Sequence, residues 1–158
     1  REVPDEVRLA INISNCPNQC PGCHSKYLWE NIGKELDMNE LESLVTQYQS
    51  GITCVCFMGG DAEPKEVADL AKQLKTKHSN LKTACYSGKN ELPQNVSTYH
   101  FDYIKIGRYM AELGPLDSAT TNQRMMKRLA DGRVKDITVW FQKNKKVEFV
   151  EVEKIPAE

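Results

Sequence analysis

The chain has 158 residues, a length that fits one domain with a buried core. Its composition, 40% hydrophobic and 27% charged, argues against a disordered or fibrous protein, and its formal charge of -1 argues against an electrostatic nucleic-acid binder. No apolar run approaches the roughly 18 residues of a membrane span, and no signal peptide is visible.

We therefore expect a cytoplasmic protein that binds neither nucleic acid nor a membrane. Because the sequence begins at Arg1 without a methionine, a missing leader segment is left open. No internal repeat or linker divides the chain, so we expect a single domain over 1–158, with 1–6 as an N-terminal remnant.

Strand and helix patterns alternate through the first two thirds of the chain. Four apolar segments predict strands, at 7–14, 52–60, 81–88 and 101–109. Two segments with apolar residues at helical spacing predict helices, over 38–50 and 64–78. Because the clean strand runs read as buried on both faces, this alternation predicts an α/β fold with a mostly parallel sheet covered by helices.

The last third of the chain has a different pattern. Segment 120–132 predicts a capped helix that ends at Asp131 and Gly132. Strand-like segments at 136–142 and 146–153 flank a basic turn, so we expect a C-terminal β-hairpin and tail within 133–158.

Three of the six cysteines lie close together in the loop after the first predicted strand: Cys16, Cys20 and Cys23. In a chain without signs of secretion, such a cluster indicates metal binding or redox chemistry and not a disulfide framework. Structural zinc sites and cubane electron carriers use four protein ligands, and His24 is poorly placed to be the fourth. Three thiols without a fourth ligand indicate an iron–sulfur cluster with one iron open to an exogenous ligand.

The other three cysteines lie inside predicted strands, where a free cysteine behaves as a small hydrophobe. We expect them to belong to the core: Cys54, Cys56 and Cys85.

Two further strand ends carry polar or glycine-containing turns, Gly59-Gly60-Asp61 and Ser87-Gly88. Active sites of parallel α/β folds lie beyond the carboxyl ends of the strands. We therefore expect both turns to lie on the same side of the sheet as the cysteine loop.

These segments together resemble the radical S-adenosylmethionine superfamily, whose signature is C-x3-C-x2-C after a first strand. Three segments, "CPGCH", "MGGDAEP" and "YIKIGRYMAELGPLDSATTNQR", are similar to the activating proteins of anaerobic (class III) ribonucleotide reductase. The resemblance covers about 7–124. It implies a partial (β/α) barrel of the radical S-adenosylmethionine type, because a complete barrel needs roughly 250 residues.

The resemblance also implies two cofactors. On matching positions, the three clustered cysteines would ligate a [4Fe–4S] cluster whose fourth iron is chelated by S-adenosylmethionine. Gly59, Gly60 and Asp61 correspond to a Gly-Gly-Glu element that contacts the methionine moiety, with aspartate replacing glutamate.

Further cofactor contacts are expected from the cysteine loop and the third strand: Gly22, Cys23, His24 and Ser87. Many members of the superfamily carry an aromatic residue where this chain has Gly22, so adenine stacking must come from elsewhere, with His24 and Tyr86 as candidates. Ser87 is left open between a strand-ending turn and a ligand contact. No catalytic residue is expected beyond the cluster and the cofactor.

The implied activity is the reductive cleavage of S-adenosylmethionine to generate a glycyl radical on the reductase. The implied partners are anaerobic ribonucleotide reductase, as protein substrate, and a flavodoxin- or ferredoxin-like electron donor. Two alternatives remain: another radical enzyme (a pyruvate formate-lyase-type activase or a small-molecule enzyme), and a non-catalytic metal or electron-transfer module.

Overall fold

The computed structural model describes Val3 and residues 5–142 of the chain. Six strands form one sheet in chain order: β1 (Arg8–Asn12), β2 (Cys54–Met58), β3 (Lys82–Tyr86), β4 (Tyr103–Ile106), β5 (Arg124–Arg128) and β6 (Val134–Asp136). Two α-helices connect the first three strands: α1 (Met38–Tyr48) and α2 (Pro64–Lys77). Two short 3-10 helices lie at Lys26–Trp29 and Thr138–Phe141. The first four strands and both α-helices were predicted from the sequence.

The sheet is mixed. Strands β1 to β4 are parallel, with Ala10 opposite Cys56 and Cys56 opposite Ala84, whereas β4, β5 and β6 pair antiparallel. The connection over 87–102 between β3 and β4 is irregular. The two helices therefore connect β1 to β2 and β2 to β3, and no α-helix lies in the described connection between β3 and β4. The partial-barrel fold stays a prediction.

The helices cover one face of the sheet and form the larger core. Helix α1 begins at the Asp37 cap, whose side chain accepts a hydrogen bond of 2.8 Å from the Glu40 amide. The fully buried Leu41 and Val45 of this helix and Phe57 of β2 belong to one apolar cluster. Their burial places the helices over β1, β2 and β3 and leaves the carboxyl ends of these strands for the connecting loops.

The opposite face of the sheet forms a second core without an α-helix. Cys54, Cys56 and Met125 are fully buried there, in a cluster that includes Leu116 and Ile137 from the chain after β4.

Neither α-helix in the described part of the chain has the length and apolarity needed to cross a bilayer.

The helix predicted over 120–132 is wrong, because Arg124–Arg128 forms strand β5. Its residues have good helix propensity, but pairing with β4 outweighs that local preference. Met125 lies opposite Lys105 and is fully buried. A turn at Gly132, which has φ +88°, then leads into β6. The structure therefore has a β5–β6 hairpin upstream of the hairpin expected from the sequence.

The first strand of that expected hairpin is also wrong, because 136–142 contains the 3-10 helix Thr138–Phe141. Asp136 Oδ1 accepts hydrogen bonds from the Thr138 amide (2.9 Å) and the Thr138 hydroxyl (2.6 Å), which turns the chain out of the sheet. The second expected strand and its basic turn lie outside the described residues.

Candidate functional site

The Asp61 carboxylate joins three loops at the carboxyl ends of β1, β2 and β3. It accepts hydrogen bonds from the Ser87 hydroxyl (2.6 Å), from the Gly88 amide (2.8 Å) and from the Asn18 side chain of the cysteine loop. The prediction that these three loops lie together is therefore confirmed. Both carboxylate oxygens of Asp61 hold loops in place, and a contact from this residue to a methionine moiety stays a prediction.

The cysteine loop is tightly wound after β1. Asn15 and Gln19 have positive φ values of 62° and 45°, and Gly22 has φ +78°. The Cys16 amide donates to the Leu28 carbonyl at 2.9 Å, so the loop folds back on the 3-10 helix at Lys26–Trp29. This winding brings three cysteines of one short segment into one loop next to Asp61.

Two of the three cysteine sulfur atoms of this loop accept hydrogen bonds. The Ser25 amide donates to Cys23 Sγ at 3.3 Å, and Asn18 Nδ2 lies 3.7 Å from Cys16 Sγ. Cys20 is buried, with 8% exposure, whereas Cys16 and Cys23 are partly exposed. Cysteine thiolates are the usual ligands of iron–sulfur clusters, and hydrogen bonds to the sulfurs tune the reduction potential of a cluster.

Within the described residues, no group of three or more His, Cys, Asp or Glu side chains could hold a metal ion in this conformation. By their chemistry, the thiols of Cys16, Cys20 and Cys23 fit an iron–sulfur cluster, and their role as its ligands stays a prediction.

The remaining cysteines are core residues, as predicted. Cys54 and Cys56 are fully buried on one face of β2, and Cys85 is 5% exposed. Burial raises the pKa of the Cys54 and Cys85 thiols well above the usual range, so both stay protonated at neutral pH. They pack as small apolar side chains in the two cores of the sheet.

The two glycines before Asp61 are required by the turn itself. Gly59 and Gly60 have φ values of +95° and +86°, a region that L side chains rarely adopt. A Cβ at Gly59 would lie 2.8 Å from the Ile13 carbonyl oxygen, and one at Gly60 would lie 2.7 Å from Val67 Cγ2. Protein packing thus accounts for both glycines, and their contact with a cofactor stays a prediction.

The expected adenine contacts lie in two places. His24 and Tyr109 have ring centroids 5.8 Å apart, and a Cβ at Gly22 would lie 3.2 Å from the Tyr109 ring. Tyr86, at the end of β3, is 8% exposed, with Lys105 Nζ 4.9 Å from its ring centroid. Tyr109 thus places an aromatic ring next to Gly22, and a contact from His24, Tyr86 or this ring to an adenine stays a prediction.

The segment after β4, for which the sequence predicts no catalytic role, contacts the cysteine loop. Arg108 Nη1 donates to the Asn18 carbonyl at 3.0 Å. In turn, Asn122 Nδ2 donates to the Arg108 carbonyl at 3.0 Å, and Gln123 Nε2 donates to the Gly107 carbonyl at 3.2 Å. Asn122 and Gln123 therefore hold the loop that contains Gly107 and Arg108. The Arg108 side chain of that loop in turn binds the cysteine loop.

Asn18 and Arg108 were missed because their partners are distant in sequence. Asn18 could have been noticed as an amide between two clustered cysteines, since asparagine favours tight loops. Nothing in the sequence pairs it with Asp61 or Arg108.

A family model described as a 4Fe-4S single cluster domain matches residues 5–106. The match includes the three loop cysteines, the Asp61 turn and strands β1 to β4. No curated protein and no solved structure matched the chain significantly. Since the matched span exceeds half of its length and contains the thiol loop, this chain belongs to the 4Fe-4S single cluster domain family.

Proposed function

We propose that this protein is an activase that cleaves S-adenosylmethionine reductively and generates the glycyl radical of anaerobic ribonucleotide reductase. The observation that carries the proposal is that one carboxylate, Asp61, joins the three-thiol loop to the turns after β2 and β3, in the parallel part of the sheet. Folds of the α/β class bind cofactors beyond the carboxyl ends of their parallel strands, which is where these three loops lie. Three thiols within one loop leave a coordination position for a cofactor, which a four-thiolate electron carrier does not.

When bound, the cluster supplies a low-potential electron to S-adenosylmethionine. Cys16, Cys20 and Cys23 would hold it as thiolates. The Ser25 amide and the Asn18 side chain donate to two of these sulfurs, which stabilises their negative charge. The loop thus binds the cluster and sets the environment of its sulfur atoms.

The neighbouring turns would position the cofactor. Gly59, Gly60 and Asp61 would contact its methionine moiety, and the further contacts would come from Gly22, Cys23, His24 and Ser87. Asp61 keeps the loops at fixed separation, because each of its oxygens accepts a hydrogen bond from another loop. The part of the chain described here adds no further candidate catalytic side chain.

A protein substrate is favoured by the shape of the sheet. In the described part of the chain, the six strands lie side by side in chain order, so β1 and β6 form the two edges of the sheet. The strands at the β1 edge are parallel. An open side lets a loop of a large partner approach the strand ends, which a small metabolite would not require.

We place the protein in the cytoplasm, with a flavodoxin- or ferredoxin-like protein as electron donor.

The test is anaerobic reconstitution with iron and sulfide, followed by addition of S-adenosylmethionine, a reductant and the cognate reductase. We expect 5′-deoxyadenosine and a persistent glycyl radical on the reductase, seen as an electron paramagnetic resonance doublet. Cofactor cleavage without a reductase radical would contradict the partner and favour another radical enzyme. A loaded cluster that leaves S-adenosylmethionine intact would indicate an electron-transfer module.

A further inference from the structure

A large groove lies next to the candidate site, on the helix-covered side of the sheet. Its volume is about 590 Å³, and it runs between the end of β1, the loop 31–36, the start of α1 and the first turns of α2. Six of its lining residues are apolar side chains of the core or its margin: Ile11, Ile13, Leu36, Leu44, Val67 and Leu70. The groove therefore offers an apolar surface that the described part of the chain does not fill.

Acidic side chains surround this apolar surface. Glu35, Glu40, Glu63 and Glu66 line the groove, whereas Lys34 is the one basic residue lining it in the described part of the chain. The whole chain has a formal charge of only -1, so this concentration of carboxylates is local. A binding partner with positive charge would complement it.

The carboxylates are crowded. A hydrogen bond to Glu63 and the negative charge of that residue raise the pKa of the Glu66 carboxyl, and the charges of Glu35 and Asp69 act in the same direction. Like charges held together favour a cationic neighbour, because the neighbour lowers their mutual repulsion. A cation alone would leave the apolar surface of the groove exposed.

The groove is tied to the candidate site. Asn15 and Gly60, which belong to the cysteine loop and to the Asp61 turn, also line it. The Ser14 hydroxyl donates to the Ile32 carbonyl at 2.7 Å, and the Asn15 amide donates to the Glu30 carbonyl at 3.0 Å. These bonds anchor the outer loop of the groove to the start of the cysteine loop.

We propose that this acidic groove binds a segment of the reductase in which Lys or Arg side chains flank apolar ones. The inference rests on the proposed function, since it names the same protein substrate. Binding at a surface beside the site would hold the reacting glycine near the cofactor. Contacts far from the reacting atoms would in this way position the glycine for the reaction. The carboxylates would also steer a basic segment toward the site.

The experiment measures binding of the reconstituted protein to the full cognate reductase by calorimetry at low and high salt. The test variant is Glu63→Gln/Glu66→Gln, and the matched control is Glu91→Gln/Glu112→Gln, which removes the same charge from exposed positions elsewhere. We expect the test variant to lose at least about tenfold in affinity at low salt, the lower end of the range for electrostatic steering. The control should bind as the wild type does.

A second pair of variants tests the apolar part of the groove. Ile32 lines it and is 45% exposed, so Ile32→Ser should weaken reductase binding without unfolding the protein. Val134→Ser, at a residue 48% exposed on β6, is the control. Both variants, and the Glu63/Glu66 variant, should form 5′-deoxyadenosine without reductase at the wild-type rate.

The outcomes separate the two proposals. Equal affinity of the Glu63/Glu66 variant and its control for the reductase would overturn the acidic groove and leave the activase proposal standing. A wild-type protein with a full cluster that does not bind the reductase would overturn the proposed function, and the named occupant of the groove with it.

Discussion

The Asn18 side-chain amide donates a hydrogen bond to the Asp61 carboxylate, across 43 positions of sequence, and so joins the cysteine loop to the turn after β2. The same nitrogen lies 3.7 Å from Cys16 Sγ. A Cβ at Gly88 would lie 2.6 Å from it, so the loop after β3 packs directly against this amide. Because Arg108 also donates to its carbonyl, Asn18 of the loop after β1 contacts the loops that follow β2, β3 and β4.

Replacing Asn18 with alanine tests this junction. Asn18→Ala removes an N–H donor from Cys16 Sγ, and hydrogen bonds to cluster sulfurs raise the reduction potential. We expect a cluster with full iron content and a more negative potential, measured by redox titration monitored by electron paramagnetic resonance. Asn31→Ala, in the exposed outer loop, is the control. An unchanged potential in Asn18→Ala would mean that the amide acts only on loop packing.

The division of the cysteines is tested by alanine replacement. Cys16→Ala, Cys20→Ala and Cys23→Ala should each abolish the charge-transfer absorption of the reconstituted protein, because each removes a thiolate ligand. Replacement of a strand cysteine should keep the cluster and lower the free energy of unfolding by on the order of 1 kcal/mol. Loss of iron in Cys54→Ala or Cys56→Ala would contradict the separation.

The reactivity of the thiols should follow their burial. Burial raises the pKa of Cys54 and Cys85, so neither supplies thiolate at pH 8 in the folded protein. We expect iodoacetamide to label the partly exposed Cys16 and Cys23 first when the metal-free protein is digested and read by mass spectrometry. Early labelling of Cys85 would show that the β3 core opens more easily than its packing implies.

Gly60 and Gly33 form a matched pair for the turn before Asp61. Both have positive φ, +86° and +88°, but a Cβ at Gly33 meets nothing within 4 Å, whereas one at Gly60 meets Val67 Cγ2 at 2.7 Å. Gly33→Ala should therefore cost about 1 to 2 kcal/mol of unfolding free energy from backbone strain alone. Gly60→Ala should cost more, as measured by urea denaturation. Equal costs would mean that Val67 moves aside freely.

Much of the fold could be predicted from the sequence, because the spacing of apolar residues within each short segment matches the face that the segment buries. The strands β1 to β4 are apolar runs ended by turn residues, and α1 and α2 place their apolar residues at helical spacing. Strand β5 was missed because Met125 and its neighbours are good helix formers, and only pairing with β4 makes them a strand. The Asp136 side chain, which ends β6, likewise acts through a local hydrogen bond that competes with strand propensity.

The site was readable in part for a similar reason. The cysteine spacing and the Gly-Gly-Asp turn are signals within short segments, and both lie where the sequence placed them. The clamp formed by Asn18 and Arg108 depends on contacts across 90 positions, which no local pattern contains. Tyr109 beside Gly22 is a contact of the same kind.

In the proposed activase, three protein thiolates would leave one iron of the cluster open for S-adenosylmethionine. Electron paramagnetic resonance of the reduced, reconstituted protein, recorded before and after addition of S-adenosylmethionine, measures this directly. We predict that the cofactor changes the cluster spectrum in the wild type, and that Asn31→Ala behaves identically. A fully loaded cluster whose spectrum is unaffected by saturating S-adenosylmethionine would contradict the claim, because all four irons would then already have their ligands.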